Sequence, residues 1–347
     1  EERRESRELL KNSVDAFVQG ELSLARVRTL RGETPCFDKV VWKRLAELGW
    51  VGALVPEERG GSGLGFGEMA ELAEALGAAL IPEPFVATAV LAVGALLQSQ
   101  GKLCDHLLER CAAGTCIAAL AHQETAGGIA RPVETSAVHK DGVIVVNGVK
   151  RYVYPGIGAD GFLVTARSAE RLGLYWVAAG TAGLGITEER RADGTFSARV
   201  ELDRVRLREA DVLMQPAASN EARVARALDQ AVIMTSVELV GVMSRAYDMT
   251  LDYLRTREQF GTPIGSFQAL QHRAADLFIQ KELAVSAARD ALDALDRGSS
   301  DAEIATAASR AKSRCADAAR LITREAIQFH GAIGFADEHD QRQRGER

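Results

Sequence analysis

Four stretches of this sequence hold residues whose types and spacing could do chemistry. The first is Ala231-Val-Ile-Met-Thr-Ser-Val-Glu-Leu-Val-Gly-Val-Met, apolar nearly all round and carrying one carboxylate, Glu238. A helix of that pattern is expected to be buried, and burial raises a carboxylate's pKa toward that of a proton-abstracting base. An ion pair or hydrogen bond to a neighbouring helix accounts for the same residue. Asp229, just before the run, reads as a solvated first-turn residue that favours the helix dipole. The second stretch, Arg255-Thr-Arg-Glu-Gln-Phe-Gly-Thr-Pro-Ile-Gly-Ser-Phe-Gln, sets Arg257, Phe260, Gln268 and Gln271 around a turn. A guanidinium with amides there suits a pyrophosphate, although a plain polar connection between helices has the same composition.

The third stretch, Gln328-Phe-His-Gly-Ala-Ile-Gly-Phe, supplies Gly331 and Gly334, which stop a helix and allow close backbone approach. The fourth, Pro56-Glu-Glu-Arg-Gly-Gly-Ser-Gly-Leu-Gly, is glycine-rich but has neither a preceding Rossmann strand nor a GK[ST] ending, which disfavours a phosphate-binding loop. His272 stands alone, and no HxxxH or Cys/His spacing indicates a metal.

The elements that must position these residues fall into three zones, 1–115, 116–213 and 214–347. In the first, Phe37, Val41, Leu45 and Leu48 recur at helical spacing, and an apolar helix pattern runs from Phe66 to Leu80. In the second the period changes to alternation, which predicts strands at Ile117 to Ala121, Phe162 to Ala166, Leu174 to Ala179 and Ala198 to Leu202. Asn147-Gly148 reads as a hairpin turn, and the whole as a small sandwich or barrel. The third zone is alanine-rich, with helices expected over Ala222 to Arg255, Gln268 to Leu295 and Asp301 to His330, an antiparallel bundle.

With 347 residues, 47% apolar and 26% charged, the chain suits a globular protein of two or three structural units. Its net charge of -6, with scattered Lys and Arg, argues against nucleic acid as a partner. The most apolar runs, Pro84 to Leu97 and Ala231 to Met243, are shorter than a bilayer span, so no membrane partner is expected. Five cysteines without a CxxC pair read as reduced thiols, and the charged start lacks a secretory signal, so cytoplasm is the expected location.

Taken in order, these segments resemble the acyl-CoA dehydrogenase family along nearly the whole chain. The residues that carry the resemblance are Gly49-Trp-Val-Gly-Ala-Leu-Val-Pro-Glu-Glu-Arg-Gly-Gly, Asn147-Gly-Val-Lys-Arg-Tyr-Val with Ala159-Asp160, Arg257-Glu-Gln-Phe-Gly-Thr-Pro-Ile-Gly-Ser-Phe-Gln, and Gln328-Phe-His-Gly-Ala-Ile-Gly. Phe267-Gln-Ala-Leu-Gln-His-Arg-Ala-Ala-Asp and Leu120-Ala-His look most like the small subunits of bacterial pimeloyl-CoA dehydrogenase-type pairs.

The resemblance implies an α+β fold: an N-terminal helical domain, a middle β-barrel or sandwich domain and a C-terminal four-helix bundle. It implies FAD as cofactor, an acyl-CoA substrate and a role in fatty acid metabolism. An electron-transfer flavoprotein would take the electrons, and the chain would work as a homo-oligomer or as a heteromer with a second acyl-CoA dehydrogenase subunit. By position, Arg257, Phe260 and Gln268 match residues that meet the adenine dinucleotide half of FAD across a dimer interface, as do Gln328, Gly331 and Gly334. Tyr152 and Tyr154 match the aromatic and hydroxyl positions beside the isoalloxazine, and Leu120, Ala121 and His122 the strand whose backbone faces it.

The departures concern the TEPxAGSD segment, replaced here by Ala121-His-Gln-Glu-Thr-Ala-Gly-Gly-Ile-Ala, and the base. One family position for the catalytic Glu falls on Ala231, and the other lies past Arg347. Asp229 falls where relatives touch CoA, and Glu238 is the internal candidate base, seven residues or roughly 10 Å along the helix from Ala231. The expected activity is α,β-dehydrogenation of an acyl-CoA to a trans-2-enoyl-CoA. The alternatives are a catalytically silent subunit completing a partner's FAD site, and a flavin acyl-CoA oxidase.

Overall fold

The computed structural model describes residues 2–126 and 132–336. The chain divides into two compact units, each assembled from separated stretches: Phe66–Ile81 and Val232 onward join the N-terminal helix in one, and Leu30–Gly65 with Pro82–Ala231 form the other.

The first unit is helical. It holds α1 (Glu2–Glu21), α4 (Phe66–Ala78), most of α7 (Asn220–Thr256), α8 (Gln268–Asp296) and α9 (Asp301–His330). Thus the three C-terminal helices lie within a residue or two of the spans their periodicity predicts. Helix α9 starts on a capping box, in which Ser300 accepts from the Glu303 amide and the Glu303 carboxylate accepts from the Ser300 amide. Helices α4 and α7 cross closely: a Cβ on Gly241 would fall inside van der Waals contact of the Glu74 carbonyl oxygen. Helix α7 is also long and apolar enough to cross a membrane by length and composition alone. Of its most apolar window, 61% is buried inside the protein, as in a core helix.

The second unit centres on a sheet. Its helical parts are α2 (Leu24–Leu30) only at the last residue, α3 (Lys39–Glu47), a π-helical stretch (Val86–Ala92) running into α5 (Val93–Leu97), and α6 (Lys102–Ala112). On α3 the predicted apolar face is present except at its end. Phe37, Val41 and Leu45 are buried, whereas Leu48 is the C-cap and 42% exposed. The strands are β1 (Ala118–Ala121), β2 (Ser136–Lys140), β3 (Val143–Val153), β4 (Gly161–Ser168), β5 (Arg171–Ala178), β6 (Leu184–Arg190), β7 (Phe196–Arg208) and β8 (Val212–Ala217). They join in the order β6-β7-β3-β2-β4-β5-β8, with β1 parallel to β4. This is one hydrogen-bonded sheet rather than two stacked ones. Apolar side chains of β1 to β5 and β7 share one buried cluster, so the sheet curls around its own core.

The hairpin lies elsewhere than its strongest sequence signal. Asn147-Gly148 sits inside β3, at a register irregularity opposite β7, where the Asn147 side chain accepts from the Arg204 amide. The turn is Asp141-Gly142, with φ of 52° and 75° between the paired residues Lys140 and Val143. Both Asx-Gly pairs suit a two-residue turn, and the one that leaves inward residues of both strands in the core prevails.

A short hairpin of β9 (Glu258–Gln259) and β10 (Thr262–Pro263) connects α7 to α8. All five cysteines are buried and free.

Candidate functional site

The side chains of strand β1 are spent on the core, and its backbone pairs with β4 along one side. Leu120 is 6% exposed and Ala121 not at all, each packed into a different apolar cluster on the two sides of the strand. The strand ends at Ala121, and His122 to Thr125 continue as a loop. His122 is half-buried with Nδ1 3.1 Å from Thr165 Oγ1 of β4. The Gln123 carbonyl accepts from the Arg151 amide at 2.7 Å, and its side-chain amide donates to the Thr125 carbonyl at 2.9 Å. Thr125 Oγ1 is buried with no hydrogen-bond partner among the described residues. The rest of the segment that replaces TEPxAGSD, Gly127 to Ala130, lies outside the described residues.

Beneath this loop lies a residue that the sequence reading did not single out. Lys150 of β3 is fully buried, and its Nζ donates to Glu124 Oε1 at 2.6 Å, Thr165 Oγ1 at 3.1 Å and the His122 carbonyl at 3.3 Å. Glu124 also accepts from Thr135 Oγ1 at 2.6 Å and from the amides of Thr135 and Glu134. Burial pulls the Lys150 pKa down to about 8, against the opposing pull of the Glu124 carboxylate. For Glu124, burial works upward, but the Lys150 charge and hydrogen bonds from Lys150, Thr135 and Glu134 outweigh it and hold the pKa below its usual value. The pair is ionised at neutral pH, and Lys150 is the member nearer to losing its charge. The available signal was parity: Lys150 continues the inward series Ile144, Val146, and a Lys there requires a counter-charge.

Just past Lys150 the register shifts again, between Lys150 and Val153, and Tyr152 adopts φ 55°. The irregularity leaves Tyr152 44% exposed, with the Arg151 guanidinium 5.4 Å from its ring centroid. Tyr154 differs: its hydroxyl donates to the Pro82 carbonyl at 2.9 Å, and Arg191 stands 5.4 Å from its ring centroid. That hydroxyl already has an acceptor within the same unit.

In the helical unit, Phe260-Gly261 forms the two-residue turn of the β9–β10 hairpin, with φ of 56° and 78°. Phe260 stands 92% exposed at its tip, edge-on to Phe267 at 6.1 Å between centroids. Arg257 and Gln268 flank the hairpin and are exposed. At the end of α9, Gln328 is exposed and its carbonyl accepts from the Gly331 amide, Gly331 taking φ 63°. Gly334 is buried in the following turn of 3-10 helix, where a Cβ would come within 2.6 Å of the Ile327 carbonyl oxygen. His330 is buried, donates from Nδ1 to the Ala326 carbonyl at 2.8 Å and stacks on Tyr253 at 4.3 Å.

Two carboxylates on α7 need correction. Glu238 is half-buried rather than enclosed, and it backs onto Gly77 of α4, where a Cβ would approach its Cγ to 2.8 Å. The apolar run around it suggested full burial, but a helix this long presents its faces to different neighbours. Asp229 is also half-buried and lies more than two turns into a helix that begins at Asn220, so the first-turn dipole reading does not hold. Ala231 is 8% exposed. Among the described residues, no group of three or more His, Cys, Asp or Glu could hold a metal ion. The glycine-rich loop after Pro56 turns back on itself: a Cβ on Gly61 would meet the backbone of Val55.

Comparison with known proteins agrees with this architecture. The family model described as "Acyl-CoA dehydrogenase, N-terminal domain" matches residues 4–128, and "Acyl-CoA dehydrogenase, C-terminal domain" matches residues 222–345. Acyl-CoA dehydrogenase IpdE2 of Mycolicibacterium smegmatis is 30% identical over 341 residues, which span 97% of this chain and 90% of that protein. The chain therefore belongs to the acyl-CoA dehydrogenase family. Among solved structures, the ChsE4-ChsE5 complex from Mycobacterium tuberculosis contains a chain of 25% identity and TM-score 0.88, with 99% of this chain and 91% of that one covered. A glutaryl-CoA dehydrogenase from Mycobacterium smegmatis in complex with FADH2 shares the fold, with TM-score 0.88 at 19% identity, covering 98% of this chain and 88% of that one.

Proposed function

We propose that this chain is a subunit of an FAD-dependent acyl-CoA dehydrogenase that converts an acyl-CoA thioester to a trans-2-enoyl-CoA. The observation that carries this reading is the family match along 97% of the chain. One feature of the described residues suits a flavin directly: Thr125 Oγ1 is buried, polar and unpartnered among the described residues, in the loop just after β1. FAD, when bound, supplies the hydride acceptor for the β-hydrogen.

The chain's own residues would bind and orient. The Arg257 guanidinium, exposed beside the Phe260 turn, would pair with the pyrophosphate, and the exposed Gln268 and Gln328 amides with the adenine half. Gly331 and Gly334 would admit the adenine half closely at the end of α9. Backbone groups of Leu120, Ala121 and His122, with Tyr152, would flank the ring end, and Asp229 would meet CoA. Tyr154 is better understood as a strut to Pro82 than as a ring donor, because its hydroxyl proton is committed.

The α-proton requires a carboxylate, and buried Ala231 stands at the family position. This favours a second reading in which a partner chain carries the base and this subunit completes the partner's FAD site. The complex of two different chains among the solved relatives supports a heteromer with a second acyl-CoA dehydrogenase subunit. An electron-transfer flavoprotein as oxidant and a cytoplasmic location complete the proposal.

The test is to purify the chain with its co-purifying partner, identify the flavin, and mix the assembly anaerobically with a panel of acyl-CoAs. Bleaching of the flavin with enoyl-CoA formation is expected; a colourless assembly that binds no FAD would refute the reading. Arg257→Ala should weaken FAD by about 1.5–3 kcal/mol, roughly ten- to more than a hundred-fold in affinity, as measured by titration of the flavin-stripped protein.

A further inference from the structure

We propose that Lys150 is a positioning residue that holds the loop His122–Thr125 in the shape that receives the ring end of the flavin, with Glu124 as its counter-charge. The proposal rests on the FAD reading above. Lys150 Nζ has three N–H donors and three oxygens to receive them, on Glu124, Thr165 and His122, and no exposed surface. Two of the three belong to the loop and the third to strand β4, so one ammonium ties the loop to the sheet at both ends of the stretch His122–Glu124. The Arg151 amide holds the carbonyl between them. On the far side, Glu124 is gripped by the Thr135 and Glu134 amides and the Thr135 hydroxyl.

Stability does not explain this arrangement, since a buried ion pair is often replaceable by apolar side chains without loss. What apolar packing cannot do is set the direction of a carbonyl and a carboxylate within a loop. The loop so fixed ends at Thr125, whose buried hydroxyl has no partner among the described residues. A rigid support beneath an unsatisfied hydroxyl is what a bound planar heterocycle would need.

The experiment uses the purified, flavin-stripped assembly, partner included if there is one. Binding of FAD and of ADP is measured by calorimetry for the wild type, Lys150→Met/Glu124→Gln and Thr165→Val. The double variant removes both charges and leaves the Gln carbonyl oxygen to accept from Thr135, while the Glu134 amide loses its acceptor. Thr165→Val removes the hydroxyl that meets Lys150 Nζ, His122 Nδ1 and the Ala121 carbonyl and leaves the ion pair, which guards against a double variant that fails to fold. The expected result is FAD affinity lowered at least about ten-fold in the double variant and about three-fold in Thr165→Val, with ADP affinity unchanged within about two-fold. The visible spectrum of the bound flavin should also lose fine structure in the double variant. FAD affinity and spectrum equal to wild type would overturn the proposal and leave the FAD reading standing. FAD and ADP weakened together, with a fall in Tm, would make Lys150 an anchor of the fold alone and equally overturn it. A wild-type assembly that binds no FAD would remove the FAD reading, and this proposal with it.

Discussion

At the scale of single residues, the buried Lys150–Glu124 pair has a consequence for stability against pH. Nζ bonds the titratable Glu124 on the loop after β1; its other partners are the neutral Thr165 hydroxyl and the backbone carbonyl of His122, whose ring lies against Thr165. The folded pKa of Lys150, about 8, lies below its unfolded value near 10.5. Between those values the unfolded chain binds more protons at this site, so its contribution to stability increases as pH rises from 8 to 10.5. Glu124 acts at the other end: its folded pKa is depressed, so its contribution is present above 4.5 and lost as pH falls through the folded value. Comparing calorimetric stability of wild type and Lys150→Met/Glu124→Gln from pH 7 to 10 should show the wild type gaining up to about 3 kcal/mol on the variant. A constant difference would contradict the depressed lysine. The base is the other residue-scale question. Glu238 backs onto Gly77 and lies seven residues along α7 from Ala231. Glu238→Gln should therefore leave anaerobic flavin bleaching intact; loss of bleaching in a folded, FAD-loaded mutant would identify Glu238 as the base.

At the scale of elements, glycines in two helices should respond oppositely to the same substitution. Alanine normally stabilises a helix over glycine by about 1 kcal/mol, and Gly20, near the end of α1 with open space around its Cβ direction, should follow that rule. Gly241 should reverse it, because its Cβ would be driven into the Glu74 carbonyl oxygen and the Ala78 amide of α4. We expect Gly241→Ala to cost about 1–3 kcal/mol net and Gly20→Ala to raise Tm slightly, both read by scanning calorimetry. Equal effects would mean that α4 and α7 do not cross this closely. The two Asx-Gly pairs of the sheet teach the same lesson. Asp141-Gly142 and Asn147-Gly148 are locally equivalent as turns, and only strand pairing distinguishes them.

At the scale of the whole molecule, Phe260 is the outlier. A phenylalanine 92% exposed at the tip of a two-residue turn, in a conformation that favours glycine at both positions, is costly for an isolated chain. We predict that the working species is at least a dimer, homomeric or heteromeric, and that Phe260→Asp shifts sedimentation toward the monomer and releases FAD in parallel. A monomer that retains flavin at low concentration would defeat this expectation.

The amino-acid sequence by itself determined the type of the long, strongly periodic elements, but not the two units, which join stretches far apart in sequence. The long alanine-rich helices α7, α8 and α9 and strands β1, β4, β5 and β7 were legible because periodic burial and capping are local properties. The weakly alternating strands β2, β6 and β8 were not, since their faces are decided by neighbours distant in sequence. Motif positions put Phe260 on a turn and Gly331 at a helix stop, as the structure has them, with Arg257 in the link after α7 and Gln328 in the last turn of α9. Only the tertiary structure decided which side chains were already spoken for: that Tyr154 bonds Pro82, that Glu238 backs onto α4, and that Lys150 finds Glu124 across 26 residues of chain. Hydrogen bonds and close packing join residues through space, and their partners carry no mark in the local pattern that forms each element.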